Sequence, residues 1–426
     1  MPVILQVLVG LLYLVALVGL FLYGVNAYVM LAVHWWHRRR AERTGFKAGA
    51  LAAGCAEARG EFLAIFDADF VPPPDFLRRT IPSFADPRAA VVQTRWGHLN
   101  RDYSLLTVAQ ALGIDGHFGV EQSARCWGSL LLNFNGTAGV WRKAAILDAG
   151  GWAHDTLTED LDLSYRAQLK GWRILYRPDL VCPAELPVLI TGFKSQQRRW
   201  AKGSIQTAIK LLPAVLRAPL PAWVKYQGFI HLTYYMIHPL MLTGVLLSAP
   251  LLALRDLTPP PSVLLGVSLA FGLAAFGPGC MLAYAQRVLD PAWGRRLWQL
   301  PTIMVIGVGV AWSTSLAVLG AFRGKAREFV RTPKFGIGPG GGHWRGKVYG
   351  GGRPWGGLVE IGLGLYCAGT AAAFWQQENY GALPFLGLYA AGFLTVGALT
   401  VLQTVAGNRV PHVAAEGTRV SAGEAA

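Results

Sequence analysis

Asp67-Ala68-Asp69, Thr158-Glu159-Asp160 and Gln196-Gln197-Arg198-Arg199-Trp200 are polar clusters set between apolar stretches. Residue type and spacing could do chemistry at each. Asp67 and Asp69 are a pair of carboxylates at the end of an apolar strand, where they could hold a divalent cation against diphosphate oxygens; an isolated Asp-x-Asp also writes a solvated turn. Glu159 and Asp160 open a helix, and one carboxylate there could take the proton from an attacking hydroxyl. We read Asp160 as that base and Glu159 as its support, although Thr156-x-x-Glu159 also spells a capping box and acids suit a helix's first turn. Gln196, Arg199, Trp200 and Gly203 share one face at helical spacing. The arginine fork suits phosphate oxygens and the tryptophan face suits a sugar ring, while an amphipathic interfacial helix with an aromatic anchor fits the same residues.

Two weaker signals accompany these. Lys47, among small residues at a helix start, could reach a diphosphate, but an ordinary surface lysine explains that segment better. The loop Asn135-Gly136-Thr137-Ala138-Gly139 could let backbone approach an acceptor, or be a plain turn. His98 and His117 have no second histidine at ligand spacing and read as structural. In combination the clusters suit moving a sugar from a nucleotide diphosphate onto a growing glycan at a membrane.

The elements that must position these residues follow from periodicity. Glu61–Phe66 and Ala89–Thr94 read as buried strands, and Arg173–Tyr176 as a third. Between the first two, Pro72-Pro73-Pro74-Asp75 starts a short helix. Residues 158–170 read as a helix with Leu161, Tyr165 and Leu169 along one face. Residues 192–226 read as an amphipathic surface helix broken by Pro213, Pro219 and Pro221. Strands alternating with helices make 38–215 an α/β domain.

Around that domain the chain is 53% hydrophobic over 426 residues with a net charge of +15, which points to a membrane protein. Residues 2–33 form an anchor rather than a cleaved leader, and Arg38, Arg39 and Arg40 put its following end in the cytoplasm. Apolar runs recur near 228–254, 262–286, 300–322, 357–375 and 382–406. Cationic segments at 287–296 and 323–353 should both be cytoplasmic, so 300–322 is expected to lie in the interface, leaving five spans. The organisation is then an N-terminal helix at 1–37, the catalytic domain at 38–215, interface and membrane helices at 216–322, a cytoplasmic loop at 323–356, two membrane helices at 357–407 and a disordered tail at 408–426. The positive charge fits positive-inside bias and anionic lipid, not nucleic acid. The chain's 5 cysteines are scattered, with no Cys-x-x-Cys pair, so reduced thiols and no zinc site are expected.

Lys47–Leu51, Phe66–Phe70, Val120-Glu121-Gln122, Phe134–Trp141, Thr158–Leu163 and Gln196–Trp200 occur in an order that resembles the membrane-embedded family 2 glycosyltransferases, cellulose synthase-like proteins of the plant mannan synthase type and their bacterial relatives. The likeness is dense over residues 41–215. It implies an α/β GT-A-type catalytic domain inserted in an α-helical transmembrane protein, an inverting transfer from a UDP- or GDP-hexose to a β-linked glycan, and Mg²⁺ or Mn²⁺. It implies Asp69 as metal ligand with Asp67 near the donor, Asp160 as base, Gln196 and Arg199 on the diphosphate, and Trp200 on the acceptor sugar. Phe329–Lys334 is similar to the gating loop of cellulose synthases, which implies that Thr332 and Lys334 cover the diphosphate; Arg331 and Pro333 depart from that motif. The implied location is the plasma (inner) membrane, with the catalytic domain cytoplasmic.

One departure changes the expectation. In that family a strand-helix-strand unit between the first span and the Lys-Ala-Gly segment supplies aspartates to the nucleotide base. Only about ten residues separate Trp36 from Lys47 here, too few for such a unit. The expectation is therefore an incomplete nucleotide pocket with weak donor binding. Single-sugar transfer to a lipid acceptor, or a non-catalytic partner of an intact synthase, are the competing readings. A transporter is disfavoured because the charges cluster in the soluble domain rather than mid-span.

Overall fold

A computed structural model describes residues 3–38, 55, 57–153, 155–252, 261–323, 333–338, 341–342 and 355–408. Its polar half is built on a 4-stranded sheet of order β1-β3-β2-β4, formed by β1 (Phe62–Ile65), β2 (Ala89–His98), β3 (Gly139–Arg142) and β4 (Arg173–Ala184). β3 is antiparallel to both β1 and β2, and β2 is parallel to β4. Consequently β1, β2 and β4 end at the same edge of the sheet, where β3 begins. Chain segments leaving that edge are the natural walls of a ligand site.

β2 is covered on both sides from Ala89 to Thr94, which is why its sequence is a continuous run rather than an alternating one. It continues past Thr94 because, after a register shift, Arg95–His98 pair with Val181–Ala184. The same pairing carries β4 well beyond Tyr176. β3 is not legible beforehand: its four residues follow a loop of small residues, and its Trp141 is wholly buried against Phe134 and Trp152.

The helices of this half are α2 (Phe76–Thr80), α3 (Leu105–Gly116), α4 (Gln122–Trp127), α5 (Lys143–Asp148), α6 (Glu159–Leu169) and α7 (Ile190–Arg217). A π-helical turn, His117–Glu121, joins α3 to α4. The prolines at 72–74 precede α2 rather than occupying its first turn. Pro213 does not break α7, contrary to the expectation from sequence; the helix runs through it to Arg217. Pro213 lies on the exposed side of that helix, where the carbonyl deprived of its partner is not stranded in a core. The break falls instead at 218–221, before α8 (Ala222–Thr233).

The apolar half contains α1 (Val3–Arg38), α9 (Ile237–Leu252), α10 (Pro261–Leu289), α11 (Trp293–Arg296), α12 (Leu300–Gly309), α13 (Ala311–Ala321), α14 (Trp355–Gln376) and α15 (Leu383–Asn408). Among the described residues, Val7–Met30, Ala222–Leu252, Trp355–Gln376 and Tyr380–Ala406 are long and apolar enough to cross a membrane. The segment expected to be interfacial is two helices bent by 47° at Val310. Glycines let these helices touch backbone to backbone. Gly24 and Gly277 join α1 to α10, Gly309 and Gly392 join α12 to α15, and Gly357 and Gly397 join α14 to α15; a Cβ at any of them would collide with the facing backbone.

Candidate active site

The acidic turn after β1 lies at the shared sheet edge. Asp67 donates its backbone N–H to Thr137 Oγ1 at 2.7 Å, and Phe70 N–H closes the turn on the Asp67 carbonyl. Val71 N–H bonds to the Pro183 carbonyl, and Phe70 bridges to Ala184, so the turn is pinned to the end of β4. Beside it, the loop before β3 is held by Gln93, which is fully buried. The Gln93 amide donates to the carbonyls of Thr94, Thr137 and Ala138 and accepts from Asn135 N–H. Gly136 has φ +80°, and a Cβ there would lie 3.1 Å from Asp160 Oδ2. Glycine is required at this point both by the left-handed backbone and by the approach of the carboxylate.

Asp160 opens α6. The capping box expected from Thr156 and Glu159 does not form: Thr158 is the N-cap residue, no side chain caps the helix, and Thr156 Oγ1 is buried without a partner among the described residues. The Thr158 hydroxyl instead meets the Thr207 hydroxyl of α7 at 3.2 Å, and Leu157 N–H donates to Gln206 Oε1. A Cβ on Gly203 would lie 2.6 Å from Thr158 Cγ2. Packing against α7, not local capping, therefore fixes where α6 begins. Asp160 Oδ1 accepts from Leu161 N–H at 2.8 Å, and the Asp160 carbonyl accepts from Ser164, whose Oγ in turn accepts from Phe134 N–H. Lys210 of α7 completes the junction with ion pairs of 2.8 Å to both Asp155 and Asp162.

Gly203 places the preceding turns of α7 along the start of α6. Burial lowers the pKa of Arg199, while Asp160, Glu159 and Asp67 raise it back towards its ordinary value. Arg199 is thus the cation on which carboxylates from two separate sequence clusters bear. Gln196 and Trp200 share its helix face and are half-buried. Asp69 meets a different cation: Lys334 Nζ is 2.6 Å from Asp69 Oδ2 and donates to the Glu185 carbonyl. The Glu185 carboxylate accepts both Phe335 N–H and Gly336 N–H at 2.9 Å, and Phe335 and Ile337 bury themselves against Val188. Lys47 and Thr332 lie outside the described residues.

The two histidines take part in polar networks. His117 joins Glu121 to Asn135, with 2.9 Å to each, and Arg125 bonds Glu121 from the other side. Burial pushes the Glu121 carboxyl up, but Arg125 and His117 overcome it and hold the group well below the usual carboxylate range. His98 bonds Asp115, which also accepts from Arg101 and Gln286.

No group of three or more His, Cys, Asp or Glu side chains forms a metal cluster among the described residues. Asp67 and Asp69 offer hard carboxylate oxygens, and a site of one or two carboxylates completed by substrate phosphates is what Mg²⁺ and Mn²⁺ accept. The ammonium already seated on Asp69 shows that its carboxylate is accessible to a positive charge. The residues therefore fit such an ion. Sequence reasoning missed Gln93, Thr207 and Glu185. A Glu between Ala184 and Leu186 in an otherwise apolar stretch was the visible signal for the last.

A model of the family described as "Glycosyl transferase family group 2" matches residues 62–286. The chain is 46% identical over 182 residues to glucomannan 4-beta-mannosyltransferase 2 of Arabidopsis thaliana, covering 42% of this chain and 34% of that protein. It is 44% identical over 200 residues to glucomannan 4-beta-mannosyltransferase 1 of Oryza sativa subsp. japonica, covering 46% and 38%. The matches thus span little more than a third of either relative. Among solved structures, the mannosyltransferase PcManGT from Pyrobaculum calidifontis in complex with GDP-Man and Mn²⁺ is similar at 21% identity and a TM-score of 0.38, over 66% of this chain and 68% of that one. The fold is a GT-A-like domain with a mixed sheet, joined to apolar helices that could cross a membrane. The family model covers more than half of the chain, which belongs to glycosyl transferase family group 2.

Proposed function

We propose that the chain transfers a hexose from a nucleotide-diphosphate sugar to the end of a β-linked glycan at a membrane, with inversion. The names of the two plant relatives favour a mannosyl donor and a glucomannan-type product. The observation that carries the reading is the loop before β3, where Thr137 holds the Asp67 turn at 2.7 Å and Gly136 lies against Asp160, so that the two acidic clusters meet at one loop; the charges of Asp160, Glu159 and Asp67 all act on Arg199.

In this mechanism Asp160 accepts the proton of the acceptor hydroxyl as its oxygen attacks the anomeric carbon. Glu159 supports it, and one displacement with one base inverts the configuration. Arg199 and Gln196 bind the diphosphate, the arginine fork meeting phosphate oxygens. Trp200 stacks on the acceptor sugar. Lys334 with Thr332 covers the diphosphate, and Lys47 approaches it. Asp69, with Asp67, would hold Mg²⁺ or Mn²⁺, which would supply positive charge to offset that of the departing nucleotide diphosphate. The catalytic domain faces the cytoplasm, and the apolar helices anchor it in the plasma (inner) membrane.

The test is transfer from radiolabelled GDP-mannose and UDP-glucose by the purified protein in lipid, with Mn²⁺ present. Incorporation into an alkali-resistant polymer supports the reading, and label found only in a lipid extract supports single-sugar transfer to a lipid. A second reading is a non-catalytic partner of an intact synthase. It is favoured by β1 being an edge strand with no described strand on its far side. Absence of donor and Mn²⁺ binding by titration would select it.

A further inference from the structure

Helix α7 carries Gln196, Arg199 and Trp200 on one face, and its opposite face is held by the last two apolar helices. Lys194 Nζ lies 2.6 and 2.8 Å from the two carboxylate oxygens of Glu360 on α14, and 3.2 Å from Thr400 Oγ1 on α15. Glu360 is wholly buried and Lys194 is 8% exposed. One turn earlier Leu189, the N-cap residue, supplies no side-chain cap; the free Ile190 N–H donates instead to Gln403 Oε1 of α15 at 2.8 Å. At about 100° per residue, Arg199, Gly203, Gln196 and Trp200 fall about 140–240° round the helix from Lys194. The grip and the site residues are therefore on opposite sides of one rigid rod.

The grip itself is firm. Glu360 is three residues after Gly357 and Thr400 three after Gly397, the glycines at which α14 and α15 touch backbone to backbone. The ion pair thus sits one turn from the tightest point of that hairpin. Stability alone is a poor account of it: desolvating two charges costs enough that an apolar pair of equal volume usually does as well or better. What an apolar pair lacks is direction. Two short charged bonds and a capped N–H restrict the rotation of α7 about its axis at its first turns more narrowly than non-directional apolar contacts would.

We infer that Lys194 and Glu360 are positioning residues that set the rotation of α7, and through it the aim of Arg199 and Trp200 at the start of α6. The inference rests on the proposed roles of Arg199 and Trp200 for its catalytic consequence, but not for its geometry. Misplacement by about 1 Å at a catalytic centre costs about 10²-fold in rate.

The experiment uses the full chain in lipid nanodiscs, with Thr158→Cys and Thr207→Cys introduced as a reporter of the α6–α7 contact. Oxidative cross-linking between those cysteines is followed by peptide mass spectrometry in Lys194→Met, Glu360→Met and the double variant. The expected result is cross-linking slowed about tenfold in both single variants and in the apolar double variant, although the double variant regains the thermal stability lost by the singles. In chains without the reporter cysteines, the donor KM rises and kcat falls in the same three variants. Cross-linking at the parent rate in all three variants, or its full recovery in the apolar double variant, overturns the inference. The cross-linking arm reads rotation whether or not the chain turns over, so loss of the proposed activity in the parent protein would not be mistaken for failure of the pair.

Discussion

Lys334 Nζ lies 2.6 Å from Asp69 Oδ2 although 265 positions separate them in sequence. The contact brings a segment from between the apolar helices α13 and α14 onto the acidic turn at the sheet edge. Both side chains keep partial access to solvent, at 28% and 21%, so the pair contributes little to stability, about 0–1 kcal/mol. Its weight is electrostatic: with Asp69 in the proposed metal-binding role, one ammonium and one divalent cation would compete for the same carboxylate.

Replacing Lys334 by Ala is therefore expected to leave thermal unfolding within about 1 kcal/mol of the parent. Mn²⁺ should bind more tightly, because no ammonium has to be displaced from Asp69. Electron paramagnetic resonance of free Mn²⁺ in a titration checks this directly. Weaker Mn²⁺ binding by Lys334→Ala would show that the two cations do not share Asp69. In an assay with donor the same variant should show a raised donor KM, since it removes the lysine proposed to cover the diphosphate.

Asp160→Asn separates chemistry from folding. The asparagine side chain keeps its oxygen for Leu161 N–H and puts its amide nitrogen, of similar size, in the space Oδ2 holds beside Gly136. It cannot take a proton, so kcat should fall by about 10²–10⁴-fold, the usual contribution of a positioned base. Circular dichroism and thermal unfolding should change little. Glu159→Gln should lose less. Equal losses in the two variants would remove the distinction between base and support.

Much of the candidate site is legible because its residues are local in sequence. The clusters at 67–69, 158–160 and 196–200 each declare a chemistry, and β1, β2 and α6 follow from runs and periods of apolar residues. What was not legible is what depends on partners far away. β3 is four residues long and exists because β1 and β2 flank it. Thr156 and Glu159 spell a capping box that loses to packing, since Thr158 bonds Thr207 and closes on Gly203. Pro213 looks like a helix end, but it falls on the exposed side of α7, where the carbonyl it deprives of a partner is not stranded in a core. Lys194 reads as one more cation of an amphipathic helix until Glu360, 166 positions later, is seen beside it.

Gly203 should be intolerant of any side chain. A Cβ there meets Thr158 Cγ2 at 2.6 Å and the Thr158 backbone nitrogen at 2.9 Å, and the nitrogen belongs to a fixed helix start that cannot swing away. Gly203→Ala is expected to cost about 1–3 kcal/mol through overpacking and to lower activity by displacing Asp160. Gly320→Ala, where nothing lies within 4 Å of the added atom, is the matched control and should be near neutral. Thermal unfolding in detergent compares them; equal melting temperatures would mean that α6 and α7 are not held together at Thr158.

Acid should unfold the domain partly through Glu121. Its folded pKa is held well below the ordinary value: burial opposes ionisation, but the charge of Arg125 and the hydrogen bond and charge of His117 outweigh it. A carboxylate whose pKa is lower folded than unfolded stabilises the folded state at pH above its unfolded pKa, about 4.3. That contribution is lost progressively as pH falls from there towards the folded pKa. Glu121→Gln removes the titration and leaves the Arg125 guanidinium, which is wholly buried, without its anion. The variant should be less stable than the parent at pH 7 by about 3–5 kcal/mol, the penalty for breaking a buried pair. The gap should narrow as pH drops below about 4.3, because only in the parent does the unfolded chain gain a proton at this position that the folded carboxylate still refuses. Parallel stability curves for the two proteins across that range would show that Glu121 is not the group whose ionisation the fold requires.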